Sequence, residues 1–149
     1  MLEVNAANTR HVATLGPAEL RRLLNLGGIH LVAIESEREV VAYVLAFAHV
    51  DAYDGEEYRY FKARIVEPFL YIDQIAVSST RRRHGIGRML YRYLAVHAKE
   101  QGILRLCCEV NIDPPNAISL EFHQGLGFAQ LGTLNVEGRA VALLTLSLA

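Results

Sequence analysis

Apolar positions recur along the chain in two rhythms. Alternating or nearly continuous runs, "IHLVAIE" from Ile29, "EVVAYVLAF" from Glu39, "FLYIDQIAV" from Phe69, "ILRLCCEV" from Ile103 and "RAVALLTLSL" from Arg139, read as strands. The first two flank the polar "SER" and form a predicted hairpin, while the last pairs across a turn at Glu137–Gly138. "FLYIDQIAV" is apolar almost throughout, as a central strand covered on both faces should be. Helical spacing appears three times. Pro17 suits the first turn of a helix through Leu20, Leu23 and Leu24 that ends at Gly27–Gly28. A longer helix begins near Gly85 and carries Ile86, Leu90, Tyr93, Leu94 and His97 on one predicted buried face. "NAISLEFHQGLGF" is a short helix closed by glycines. The strand from Phe69, the helix from Gly85 and the strand from Ile103 then follow in the order of a right-handed parallel crossover. "HVDAYDGEEYRYFKARIVEP", from His49, has no clean period and is expected to be a functional loop or partly helical.

The bulk numbers narrow this to one mixed α/β domain spanning residues 1–149. The chain has 149 residues, 52% of them hydrophobic, enough for one sizeable core and cramped for two. A formal net charge of −1 lends nothing to nucleic-acid binding or to a membrane surface. There is no bilayer-spanning apolar run, and "MLEVNAANTR" lacks the apolar centre of a signal peptide, so a cytoplasmic protein is expected. Cys107 and Cys108 are adjacent and on a strand point to opposite faces, which argues against a disulfide; no metal-ligand spacing occurs, and both read as small buried hydrophobes.

Against this balanced background, "STRRRHGIGRMLYRYL" stands out. Arg81, Arg82, Arg83 and Arg88 crowd the electropositive end of a helix, where basic residues are unfavourable by roughly 0.3–1 kcal/mol each. Gly85 and Gly87 add about 1 kcal/mol apiece if they lie within the helix. An anion reverses these signs, because first-turn N–H groups point outward and arginines close over phosphate oxygens. The plainer reading is a solvated basic loop. A nucleoside-triphosphate loop is excluded, since no Gly-Lys-Ser/Thr follows, and a Rossmann fingerprint fails at Leu90.

Arg82-x-x-Gly85-x-Gly87 after a buried strand resembles the acyl-coenzyme A signature of the GNAT superfamily of N-acyltransferases. Asn116, Ser119, Gly127 and Phe128 fall in register with that family's downstream motif, and the resemblance covers roughly residues 30 to 149. "EVNIDPPN" with the FHQ-x-LGF run is closest to a predicted acetyltransferase subgroup. The resemblance implies a mixed, mostly antiparallel sheet of about six or seven strands, a central parallel pair splayed apart and about four flanking helices. It implies acetyl-coenzyme A as co-substrate, no metal, a primary amine as acceptor, and direct transfer in a ternary complex. N–H groups of Arg83, His84, Gly85, Ile86, Gly87 and Arg88 would hold the pyrophosphate, and Arg82, Arg83 or Arg88 the ribose phosphate. The pantetheine arm would lie along Ile75, Ala76 and Val77, facing Asn116, Ser119 and Phe122. Asn116 is equally a helix N-cap by type and position. Homodimers are common among such folds, although nothing in the sequence marks an interface.

Acetyl transfer needs a neutral amine, a polarised carbonyl and a proton for the departing thiol. Asp73 is the first candidate base, because strict alternation puts it on the face of Ile75 and Val77; Glu109 on the neighbouring strand is the second. Asp73 paired with an arginine is the structural alternative. His123 occupies the position where much of the superfamily has a tyrosine, and is the candidate acid, with a structural histidine as the alternative. An N–H near Val77 would meet the carbonyl oxygen. A ping-pong route would use Cys107 or Cys108. The segment from Asp51 to Phe61 would receive the amine through Asp51, Asp54, Glu56, Glu57, Tyr53, Tyr58, Tyr60 and Phe61, unless its aromatics merely cover the core. The rival function is a non-catalytic acyl-coenzyme A sensor, for which the missing tyrosine speaks.

Overall fold

The computed structural model describes residues 1–149, except for the side chain of Glu37. One sheet of six strands runs through them in the order β1-β2-β3-β4-β6-β5. The strands are β1 (Ile29–Ile34), β2 (Val40–Ala48), β3 (Phe69–Val77), β4 (Arg105–Asp113), β5 (Ala129–Val136) and β6 (Arg139–Ser147). Only β3 and β4 run parallel, joined by the crossover helix α4 (Ile86–Glu100). Helix α5 (Ala117–Gly125) lies beside α4, and α1 (Leu2–Ala6), α2 (Pro17–Leu24) and α3 (Glu56–Lys62) cover the opposite face. The mixed α/β architecture expected from the sequence is therefore present, with α1 as an unforeseen addition and α3 inside the aperiodic segment.

Side-chain size decides which helices sit where. On β2 the small residues Ala42, Val44, Ala46 and Ala48 face α4, so a long helix can approach the sheet closely. Tyr43, Leu45 and Phe47 fill the wider space under the shorter helices. The buried face of α4 is Leu90, Tyr91, Leu94 and Ala98, with Tyr93 and His97 outside. This corrects the sequence expectation by turning the helix towards α5, where the Tyr91 hydroxyl finds His123 Nε2 at 2.7 Å.

Two interruptions in the sheet matter more than its regular parts. Pairing between β3 and β4 runs from Phe69↔Arg105 to Ile72↔Cys108 and stops there. At the same level β3 is irregular against β2: Ile72 pairs with Ala46 and Gln74 with Leu45, so Asp73 is the extra residue of a bulge. The bulge reverses the expected alternation. Ile75 and Val77 face α4, whereas Asp73 and Gln74 both turn to the face of α1–α3.

A polar knot holds this side in place. Asn5, 1% exposed, donates from Nδ2 to Ala13 O and to Tyr43 Oη at 2.9 Å each, and its Oδ1 accepts the Leu15 N–H at 2.8 Å. Gln74 Oε1 accepts from Tyr43 at 2.8 Å. The segment between α1 and α2 is thereby fastened over the gap in the sheet. At Gly28 (φ +102°) a Cβ would come within 2.2 Å of Ala46 O. Gly28→Ala should therefore destabilise the protein by about 2–4 kcal/mol in chemical denaturation, whereas Gly138→Ala, in open space at a similar φ, should cost less.

Candidate active site at the parting of the parallel strands

Beyond Ile72 and Cys108 the next residues, Asp73 and Glu109, stand across the apex of a V. Ser78 N–H bonds to Val41 O at 2.8 Å, so by alternation the backbone groups of Ile75 and Val77 turn away from β2 to the open edge. Those of Gln74 and Ala76 are spent on β2. Along the predicted pantetheine strand, then, Ile75 and Val77 have backbone groups to offer and Ala76 does not; Asn8 Nδ2 approaches Val77 O at 3.4 Å.

The bend after β3 has the geometry of an anion cradle. Arg83 (φ 64°) and Gly85 (φ 77°) both take left-handed backbone conformations, and Gly85 is the N-cap of α4 with no side-chain cap. The first turn contains no acidic residue, and nothing lies within 4 Å of a Cβ placed on Gly85. The N–H groups of Ile86, Gly87 and Arg88 are left without helical partners. Gly87 is small for a different reason: a Cβ there would sit 3.1 Å from the Phe122 ring, which wedges α5 against α4. Of the arginines, Arg81 is paired with Glu35, and Arg82 donates to Asn8 Oδ1 at 2.7 Å, tying the bend to the turn that follows α1. Arg83 and Arg88 are exposed and have no carboxylate partner among the described residues. His84 turns its Nδ1 onto Arg82 O at 2.8 Å. Asn116 caps α5, accepting the Ser119 N–H at 3.3 Å, as its structural alternative foresaw.

A cleft of about 380 Å³ opens on the α1–α3 side, lined by Tyr53, Glu57, Tyr71, Asp73, Glu109 and Arg139, with residues 9–13 as its rim. A second space of about 50 Å³ shares Asp73 and Glu109 and reaches Tyr91, Ser119 and His123. Each apical carboxylate is held by a phenol: Tyr53 donates to Asp73 Oδ1 at 2.5 Å, and Tyr71 to Glu109 Oε2 at 2.7 Å. Burial raises Asp73 from 3.8 to about 6, against the Tyr53 hydrogen bond, and burial with the charges of Glu57 and Asp73 raises Glu109 from 4.5 to about 8. Glu57, 6% exposed, is paired with Arg139 at 2.6 Å. Among the described residues Asp73 has no arginine partner; the phenol of Tyr53 takes that place.

His123 is positioned differently from its sequence expectation. It is 2% exposed among Tyr91, Phe122 and Phe128. Its Nδ1 lies 2.7 Å from the Ser119 carbonyl, which only accepts, so Nδ1 carries the hydrogen and Nε2 accepts from Tyr91. Burial also depresses its pKa. The imidazole is thus neutral with both nitrogens occupied, and this geometry supports the structural alternative. Cys107 and Cys108 are buried on opposite faces, and burial pushes both thiols far up, which leaves no thiolate for a ping-pong route.

The Asp51–Phe61 segment divides its roles. Tyr58 and Phe61 are core, Asp51 caps the Ala48 N–H at 2.6 Å, and only Tyr53 and Glu57 reach the cleft. Tyr71, Arg139 and residues 9–13 were missed. Tyr71 reads as core in an apolar strand, and the Arg139–Glu57 pair joins positions 82 apart in sequence, which no local pattern reveals.

The profile described as "Acetyltransferase (GNAT) family" matches residues 5–128. No protein of curated function matches the chain significantly. Among solved structures, the NatC complex bound to Gag peptide and CoA is similar at TM-score 0.71 and 18% identity, over 99% of this chain and 89% of that one. A putative acetyltransferase from Salmonella typhimurium, solved with its cofactor acetyl-CoA, gives 0.68 and 20% over 99% and 86%. The ribosomal-protein-S18-alanine N-acetyltransferase from Escherichia coli gives 0.66 and 17% over 99% and 88%.

The raised carboxyls have a consequence for stability. Glu109 keeps its proton in the folded chain up to about pH 8 but loses it near its ordinary value when unfolded, so stability falls as pH rises from about 4.5 through 8. Glu109→Gln, which can still accept from Tyr71, should raise the melting temperature relative to wild type at pH 8.5, and much less at pH 4.5. An equal difference at both values would contradict this.

Proposed function

The chain belongs to the acetyltransferase (GNAT) family, and we propose that it transfers an acetyl group from acetyl-coenzyme A to a primary amine of a small molecule or peptide, by direct attack with both bound together. One observation carries this reading: β3 and β4 part immediately after Ile72 and Cys108, between an uncapped helix end and two half-buried carboxyls. The residues present fit the co-substrate. The open Gly85, the free first-turn amides of α4, and Arg83 and Arg88, which have no carboxylate partner among the described residues, suit a diphosphate and a ribose phosphate. Backbone groups of Ile75 and Val77, together with the Asn116 amide, suit an extended amide-bearing arm.

Acetyl-coenzyme A supplies the thioester carbonyl and the leaving thiol. The protein's contribution is to attract the amine, free its lone pair and steady the carbonyl oxygen. Asp73 gives the cleft a negative charge that no arginine among the described residues pairs, and Tyr53 and Tyr71 provide aromatic walls. Asp73, raised to about 6, is ionised at neutral pH yet far more basic than an exposed aspartate, so it is the base. The Val77 N–H, turned to the open edge, is the donor for the carbonyl oxygen. High thiol pKa values at Cys107 and Cys108 favour direct transfer over an acyl-cysteine route.

Calorimetric titration with acetyl-coenzyme A, followed by thiol release with free lysine, a tripeptide and spermidine as probe amines, tests the reading. Arg83→Glu with Arg88→Glu should weaken acetyl-coenzyme A binding about 10- to 100-fold without unfolding the chain. Asp73→Asn should lower kcat by about 10²-fold or more and remove the acidic limb of the pH–rate profile near 6. Tight binding with no turnover in wild type would favour the non-catalytic sensor.

A further inference from the structure

Acetyl transfer also requires a proton for the sulfur, and the sequence candidate for that task has none to give. His123 holds its one hydrogen on Nδ1 against the Ser119 carbonyl, while Nε2 accepts from Tyr91. Tyr91 in turn spends its hydroxyl proton on His123, so towards the 50 Å³ space it offers only an acceptor. Cys108, in the same wall, is a deeply buried weak acid.

The cluster at the apex contains a better donor. Asp73 and Glu109 occupy the first positions after the last β3–β4 pair, on the same face, and Glu57 joins them in the cleft. The guanidinium reaching these carboxyls from the sheet, Arg139, is bound to Glu57 at 2.6 Å and to Asn111 at 2.8 Å. Arg10, His11 and Glu137 are exposed on the rim. Three carboxyls sharing a partly dry cleft with one committed cation do not all ionise at neutral pH.

We propose that Glu109 is the proton donor of the reaction: the Tyr71 hydroxyl holds Oε2, and Oε1 carries the proton across the apex from Asp73. This rests on the reading of Asp73 as base. The ammonium first gives up one proton through Asp73 to the cleft solvent. As the nitrogen–carbon bond then forms, Asp73 Oδ2 takes a second proton from nitrogen, and as the carbon–sulfur bond breaks, Glu109 Oε1 gives its proton to sulfur. The pair ends with its proton on the other carboxyl, and exchange through cleft solvent resets it. No net proton is gained or lost by the protein. One tyrosine donates to each carboxyl and leaves its second oxygen without a donor among the described residues, so both Asp73 Oδ2 and Glu109 Oε1 are open to exchange a proton.

The electrostatics run the same way. Glu109 is raised to about 8, first by burial and then by Glu57 and Asp73, against the Tyr71 hydrogen bond and Arg139; a thiol ordinarily titrates near 8.5. Asp73 is raised by burial and by the charges of Glu57 and Glu19, but the Tyr53 hydrogen bond and Arg139 oppose this and it stays at about 6. Transfer should therefore show a bell-shaped pH profile whose limbs belong to the coupled pair.

The test combines carboxyl ¹³C NMR titration of the full chain with pH–rate profiles for the three probe amines. Glu109 should titrate near 8 in wild type and lower in Asp73→Asn, while Glu109→Gln should lose the alkaline limb and at least tenfold in kcat. A Glu109 carboxyl that titrates at an ordinary 4–5, or a Glu109→Gln enzyme that keeps its alkaline limb, would overturn the proposal. An acidic limb persisting in Asp73→Asn would instead overturn the base assignment, and the Glu109 titration would still decide the donor.

Discussion

The site depends on one unmet demand: two parallel strands that should pair along their length do so for four residue pairs and then separate. Backbone groups buried without partners are unfavourable, so an open edge inside a protein persists only if something else stabilises it. Here the bulge at Asp73, the polar knot of Asn5, Tyr43 and Gln74, and the wedge of Phe122 and His123 between α4 and α5 hold the strands apart from both faces. The same separation exposes amides along β3, frees the first turn of α4 and brings two carboxyls face to face.

Charge is distributed around that gap in two unlike zones. At the bend, the exposed Arg83 and Arg88 and the first-turn amides of α4 make a cationic cradle suited to an anion. In the cleft, carboxyls outnumber their cation and are kept partly protonated by burial and mutual repulsion. A co-substrate carrying phosphates at one end and a reactive carbonyl at the other is complementary to both zones at once. Phenols rather than arginines hold Asp73 and Glu109, so neither carboxyl is pinned in its ionised form by a salt bridge.

Much of this was legible in the chain, because the features involved are local. The Arg82-x-x-Gly85-x-Gly87 bend, the parallel crossover and the Asn116 cap each lie within a few adjacent residues. What escaped is long-range or irregular. A single inserted residue in the β3 ladder moved Asp73 to the other face from Ile75, and sequence alternation cannot register a bulge. His123 lost its proposed role to a hydrogen bond with a tyrosine 32 positions earlier. Tyr91 itself was overlooked because the helical period placed Tyr93 on the buried face.

Residue-resolved amide hydrogen exchange, with and without coenzyme A, tests the central claim most directly. The account predicts new protection at Val77, Ile75 and the Ile86–Arg88 amides, with Gln74 and Ala76, already bonded to β2, unchanged. Saturating coenzyme A that leaves Val77 and the first turn of α4 exchanging as before, or that protects a different surface, would contradict it.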